Sequence, residues 1–478
     1  MTRVGQPVHR ITGVSLVDGT VADVTVENGI VTAVDPAAAS VDPAGASVDP
    51  TGAPMGPATA PVDPAGAAVD PATASVDPTD APVGPATAPV DPVRAGVDPA
   101  GAAGETGGDG DLSLPGWLLL SATTEPHAHL DKAFSWRGCE QTYGDLRAAI
   151  ASWCAYAETM TGEDVYRRAR CALGAYLANG CTTVRTHADI LPGPEPLRGI
   201  EAMTRLRDEV RELMDVQVAV LIPEGTPGRL IAGAIALGVD VLGGCPHLCA
   251  DPVAETTCLL DLAERFGLPV DLHTDEQLGT DVLSIRELCR QVRARGLRQR
   301  VIASHCVSLG SLEPEQLADV IAEVRAAGIG IVSLPITNLY LQGREHARFR
   351  PRGLPALRAL LDAGVDVAAG GDNLRDPFNP MGRADPFETA SLLITAGHLD
   401  AASALATVTD GGRTALSLPQ GGPAVGACAN FVAVRADSLA DALAGPGDAR
   451  IVVHNGRLVS RTVVDRQTAL TTSVARPR

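Results

Sequence analysis

Eight apolar runs recur between residues 117 and 372, and each leads into a residue suited to binding a metal or moving a proton. Trp117 to Ala122 leads to His127 and His129, Cys181 to Val184 to Arg185 and His187, Val216 to Ile222 to Glu224, and Val239 to Gly244 to His247. Pro269 to Leu272 then precedes His273 and Glu276, Val301 to Ser304 precedes His305, Gly328 to Leu334 precedes Asn338, and Val365 to Gly371 precedes Asp372. The segments between them carry apolar residues at helical spacing: Val165 to Ala178, Pro196 to Leu213, Arg229 to Ala236, Ala254 to Phe266, Val282 to Arg295, Pro314 to Ala326 and Leu354 to Ala363. Strands that alternate with helices form a parallel sheet, and eight such units predict a closed (β/α)8 TIM-type barrel. The polar residues then gather at the C-terminal mouth, where barrels of this kind carry their chemistry.

His127 and His129 lie two residues apart. Side chains along a strand alternate faces with period two, so both imidazoles point the same way and can share one metal ion. A single His-x-His supplies half a coordination shell, so the other ligands have to come from other strand ends.

The net charge of -19 over 478 residues argues against a nucleic-acid or anionic-membrane surface, either of which needs clustered Lys and Arg. No apolar stretch approaches the ~20 residues of a membrane span, and the first residues lack a signal-peptide core, so a soluble cytoplasmic protein is expected. The ten cysteines are dispersed, which fits reduced thiols better than a disulfide framework. Cys245 and Cys249 flank His247, and they read as thiols beside a mouth histidine rather than as a zinc site.

Five segments are expected along the chain. Residues 1–35 hold short alternating strands with turn signals at Asp18-Gly19 and Asn28-Gly29. Residues 36–104 are dominated by near-copies of a heptapeptide such as Val41 to Ser47, with a proline in every unit that blocks helix propagation; the sequence reads as a disordered insert. The barrel is placed at 105–426. Residues 427–465 again show short strands, with a hairpin signal at Asn455-Gly456, and 466–478 form a tail. The two terminal pieces are expected to combine into one small β-sandwich domain.

The ordered motifs Glu-Pro-His-Ala-His-Leu-Asp (125–131), Val-Arg-Thr-His-Ala-Asp (184–189), Asp-Leu-His-Thr-Asp-Glu (271–276), Ala-Ser-His (303–305) and Gly371-Asp372 resemble the metal-dependent amidohydrolase superfamily, in its cytosine deaminase branch. The resemblance implies four metal ligands, His127, His129, His273 and Asp372, around one divalent ion. Three neutral imidazoles and a carboxylate suit zinc or ferrous iron and leave a position for water. It also implies catalytic roles for Glu276 as proton shuttle and for His305 and Asp372 in orienting the attacking water, and substrate contacts from Glu224, Asn338, Gln342, Asn373 and His187. Binuclear members bridge two ions with a carboxylated lysine on strand four; the only lysine here is Lys132, beside strand one, so one ion is expected. The cytidine-deaminase zinc signature, H-x-E with P-C-x-x-C, is absent.

Two positions depart from the cytosine-specific pattern. Pro223 stands where those members carry a glutamine, and Asn373 where they carry an aspartate. The expectation is therefore a hydrolase of carbon-nitrogen bonds that releases ammonia from a small aminated heterocycle, with cytosine a poor substrate compared with some other aminated ring. Hydrolysis of a cyclic amide or an N-alkylamino group on the same scaffold is the alternative, and a non-catalytic metal-binding protein a distant one. The expected partner is the small-molecule substrate, with assembly into a homo-oligomer left open.

Overall fold

The computed structural model describes residues 3–37, 110–141, 143–445 and 449–464. The proline-rich repeat and the C-terminal tail expected from the sequence lie outside these residues.

Two eight-stranded sheets organise the described residues. Strands β1 (Arg10–Ser15), β2 (Val21–Glu27), β3 (Ile30–Pro36), β4 (Asp111–Ser113) and β5 (Leu118–Ser121) join β14 (Phe431–Val434), β15 (Arg450–His454) and β16 (Arg457–Thr462) in the first sheet, in the order β16-β15-β14-β5-β1-β2-β3 with β4 against β1. The termini thus build one domain, as expected. Its core draws Val14, Val24 and Leu119 from one end of the chain and Phe431 and Val453 from the other. Both Asn-Gly hairpin turns form: Asn28 and Gly29 have φ of 51° and 77°, and Asn455 and Gly456 have 46° and 73°, the paired positive values that Asn-Gly hairpins adopt.

The second sheet is the barrel. Its parallel strands run in chain order through β6 (Thr123–Ala128), β7 (Cys181–Asp189), β8 (Asp215–Leu221), β9 (Val241–Gly244), β10 (Val270–Thr274), β11 (Val301–His305), β12 (Gly330–Ser333) and β13 (Val367–Ala369). A bridge between Ala128 and Asp372 closes the ring. The intervening helices fall where apolar periodicity placed them, for example Pro252–Phe266, whose Asp251 caps the Val253 and Ala254 amides. Among the described residues, no helix is long and apolar enough to cross a membrane.

One boundary differs from the sequence reading. The apolar run Trp117 to Ala122 is not the first barrel strand: Leu118–Ser121 pairs antiparallel with Phe431–Val434 in the terminal sheet. The barrel strand is the polar-looking Thr123–Ala128, buried throughout, and the barrel therefore begins at residue 123 rather than 105. Two of its polar side chains are satisfied internally, Thr124 donating to the Val408 carbonyl and Glu125 accepting from the Gly371 amide. Apolar patterning could not find a buried strand whose burial rests on hydrogen bonds.

Candidate active site

Strand periodicity delivers the side chains. His127 on β6 and His129 just beyond it share a face, as do Asp271 and His273 on β10. The β10–β11 register sets His273 beside Ser304 and Thr274 beside His305. Four residues at the mouth, Asp275, His305, Cys306 and Asp372, adopt positive φ of 48°, 72°, 47° and 63°. Such backbone costs about 1–3 kcal/mol per residue and is held only where its surroundings enforce it.

At the centre, the Nε2 of His273 lies 3.2 Å from Nε2 of His127 and 3.1 Å from Nε2 of His129. Asp372 Oδ1 is 3.4 Å from His129 Nε2 and 3.9 Å from His127 Nε2. Burial, reinforced by neighbouring cationic groups, pushes all three imidazoles below their ordinary range, His127 to about 4, so they are neutral. Burial, then the charges of Glu276, Asp376 and Glu125, pushes Asp372 well above the usual carboxylate range, and its Oδ1 is buried with no hydrogen-bond partner. Donors bound ~2.0–2.2 Å from one ion sit roughly 3 Å from each other, so the four side chains fit a single divalent cation, which would also satisfy the orphaned oxygen.

Glu276, three residues beyond His273, is buried, and burial raises its carboxyl to about 8. Asn338, on the short helix Pro335–Leu341, donates through Nδ2 to Glu276 Oε1 (3.3 Å) and to His305 Nδ1 (3.1 Å). That arrangement leaves the His305 proton on Nε2, which is buried and unpartnered. Gln342 donates to the Glu276 carbonyl at 3.0 Å. These residues and the ligand cluster form one constellation.

Other expected contacts are placed differently. Glu224 is exposed on the loop after β8 and accepts from the Ala250 amide at 3.4 Å, outside the buried cluster. His187, expected as a substrate contact, is fully buried behind His127, its ring 4.0 Å from that of His127. Room for it comes from Gly243, where a Cβ would lie 2.9 Å from His187 Nδ1. Asn373 spends its amide on Asp376, 2.8 Å away, holding the loop after β13.

Sequence reasoning missed a set of supporting side chains. Asp271, fully buried, accepts from Arg185 at 3.0 Å and from Ser304 at 2.7 Å, and Ser304 Oγ lies 2.9 Å from His127 Nδ1. Burial alone would raise Asp271, yet the adjoining His187 and His127 hold it well below the ordinary range. Its position two residues before His273 on a strand was the available signal. Lys132 packs between His129 Nδ1 (3.1 Å) and Asp189 (2.7 Å). His247 donates from Nδ1 to the His273 carbonyl at 2.9 Å, leaving a buried, unpartnered Nε2.

The comparisons with known proteins agree with this geometry. Residues 145–460 match the amidohydrolase family model. The pterin deaminase of Rhizobium rhizogenes is 30% identical over 365 residues, covering 73% of this chain and 82% of that protein. The N-isopropylammelide isopropyl amidohydrolase of Pseudomonas sp. is 24% identical, covering 74% of this chain and 89% of that one. In fold, the 5-methylcytosine deaminase of Klebsiella pneumoniae superposes with a TM-score of 0.75 at 23% identity, covering 96% and 100% of the two chains. A parallel barrel with a second sheet built from both termini, a buried cluster of histidines and Asp372 that could hold a metal ion, and a family match over most of the chain together mean that this protein belongs to the amidohydrolase family, as a hydrolase of carbon-nitrogen bonds.

Proposed function

We propose that the protein deaminates an aminated heterocycle of the pterin type, with His127, His129, His273 and Asp372 holding one zinc or ferrous ion. The observation that carries this reading is the proton inventory around the cluster. Glu276 is buried with its carboxyl raised to about 8, so at neutral pH it holds a proton beside the cluster. A neutral acid three residues from a ligand can donate that proton to a ring nitrogen, making the adjacent amino-bearing carbon electrophilic.

An ion held by the cluster supplies Lewis acidity and lowers the pKa of a water toward ~7. The remaining steps belong to the chain. His305 Nε2–H donates to the attacking water oxygen and stabilises the charge that grows there. Asn338 fixes that tautomer and holds the Glu276 carboxyl in place. Once it has protonated the ring, Glu276 accepts one proton from the water and passes it to the departing amino group, then takes back the remaining hydroxyl proton as the carbonyl forms, which restores its acid form. The carbon-nitrogen bond breaks, a carbon-oxygen bond replaces it, and ammonia leaves.

Pterin is preferred over cytosine because the deaminase with 30% identity is named for pterin, and because Pro223 is an exposed rim residue with no amide to read a pyrimidine edge. The test is ammonia release by metal-reconstituted protein from pterin, cytosine and an N-alkylamino triazine. Pterin is expected to be turned over fastest. Preferential release of alkylamine would move the reading to the alternative represented by the N-isopropylammelide hydrolase.

A further inference from the structure

The Ser304 hydroxyl bridges His127 to Asp271 across the barrel interior, joining β6 to the paired strands β10 and β11. Oγ is 2.9 Å from His127 Nδ1 and 2.7 Å from Asp271 Oδ1. All three residues are fully buried, so no water competes for these bonds. Asp271 is a carboxylate that also accepts from Arg185 Nη1 at 3.0 Å, and a carboxylate can only accept. The single Ser304 proton therefore goes to Asp271, and the lone pair left on Oγ must accept from Nδ1–H of His127. That direction places the His127 lone pair on Nε2, the atom 3.2 Å from His273 Nε2.

We infer that Ser304 is a positioning residue: it hands the polarity of the Arg185–Asp271 pair to His127, fixing the ring's tautomer and aim for the metal. The inference rests on the proposed metal-ligand set. Partners that accept from the outer nitrogen of a ligating histidine orient the ring and make it more basic, and their loss typically lowers metal affinity by roughly 10–100-fold. No other side chain replaces the serine, because the direct distance from His127 Nδ1 to Asp271 Oδ1 is 3.7 Å, beyond hydrogen-bonding range.

The experiment measures the zinc dissociation constant by chelator competition, the melting temperature of the metal-free protein, and the visible spectrum of the cobalt-substituted form. It compares unmodified protein with Ser304→Ala, Ser304→Cys and Ser304→Thr. Alanine is expected to weaken zinc binding about 10–100-fold and to alter the cobalt spectrum, with the metal-free melting temperature little changed. Cysteine, which keeps the size but accepts poorly, should follow alanine and covers the case in which alanine fails to fold. Threonine, which keeps Oγ, should retain most of the affinity. Zinc affinity within twofold of unmodified protein in Ser304→Ala or Ser304→Cys overturns the inference. Failure of the unmodified protein itself to bind zinc would instead overturn the ligand assignment on which the inference rests.

Discussion

His129 Nε2 and His273 Nε2, carried by residues 144 positions apart, face each other at 3.1 Å in a site buried from solvent. With Asp372 Oδ1 3.4 Å from His129 Nε2, this packing of lone pairs is stable only with a proton or a cation among them. Elemental analysis should therefore find one divalent ion per chain, and His129→Ala should lose it. Two tightly held ions per chain, or an unchanged ion content in that variant, would contradict the four-ligand assignment.

Glu276→Gln should keep the metal and lose turnover by a factor of roughly 10²–10⁴, the usual contribution of general acid-base catalysis. The amide cannot cycle a proton, although it preserves the shape and the contact with Asn338. Rapid-quench measurement of ammonia separates this chemical defect from weakened binding. Turnover near that of the unmodified enzyme would remove Glu276 from the proton path.

Glu125 gives a pH signature unrelated to turnover. Burial raises its carboxyl to about 7 from an ordinary 4.5, so folding favours the protonated form. The contribution is full below pH 4.5 and is lost as pH rises through about 7. The shift corresponds to about 3 kcal/mol at most. Chemical denaturation of metal-free Glu125→Gln between pH 4.5 and 8 should show a shallower decline than unmodified protein, since glutamine can still accept from the Gly371 amide. Identical slopes would mean that Glu125 does not titrate in this window.

Cytosine should be a weak substrate, with Pro223→Gln improving it relative to pterin. An added amide contact at this exposed rim position is worth about 0.5–1.5 kcal/mol, or roughly 2–13-fold in kcat/KM. The companion exchange suggested by the sequence, Asn373→Asp, is less favourable than it looked, because it would set a second carboxylate where Asn373 Nδ2 now lies 2.8 Å from Asp376. A ratio of cytosine to pterin activity unmoved by Pro223→Gln would show that residue 223 does not read the ring.

Most of the architecture was legible because, from its second strand on, this parallel barrel writes each strand as an apolar run and each mouth residue just after it. His273, Glu276, His305, Asn338 and Asp372 were found for that reason, and His127 and His129 through their two-residue spacing. What escaped depended on relationships that no local pattern carries. The first barrel strand is polar, its burial supported by partners such as Val408 and Gly371 far along the chain. Ser304 meets Asp271 through the register between β10 and β11. His187 was expected at the mouth with its neighbours, but Gly243 opens a space that draws its ring behind His127. Glu224 follows its strand as expected, yet the loop leaves it exposed.

The most direct test of hydrolytic, metal-dependent deamination is a single turnover of pterin in ¹⁸O-labelled water with metal-reconstituted protein, reading the product by mass spectrometry and ammonia in parallel. One labelled oxygen should enter the product ring for every ammonia released, and neither should appear after the metal is removed. Ammonia without label in the ring, or labelled product formed equally well by metal-free protein, would contradict it.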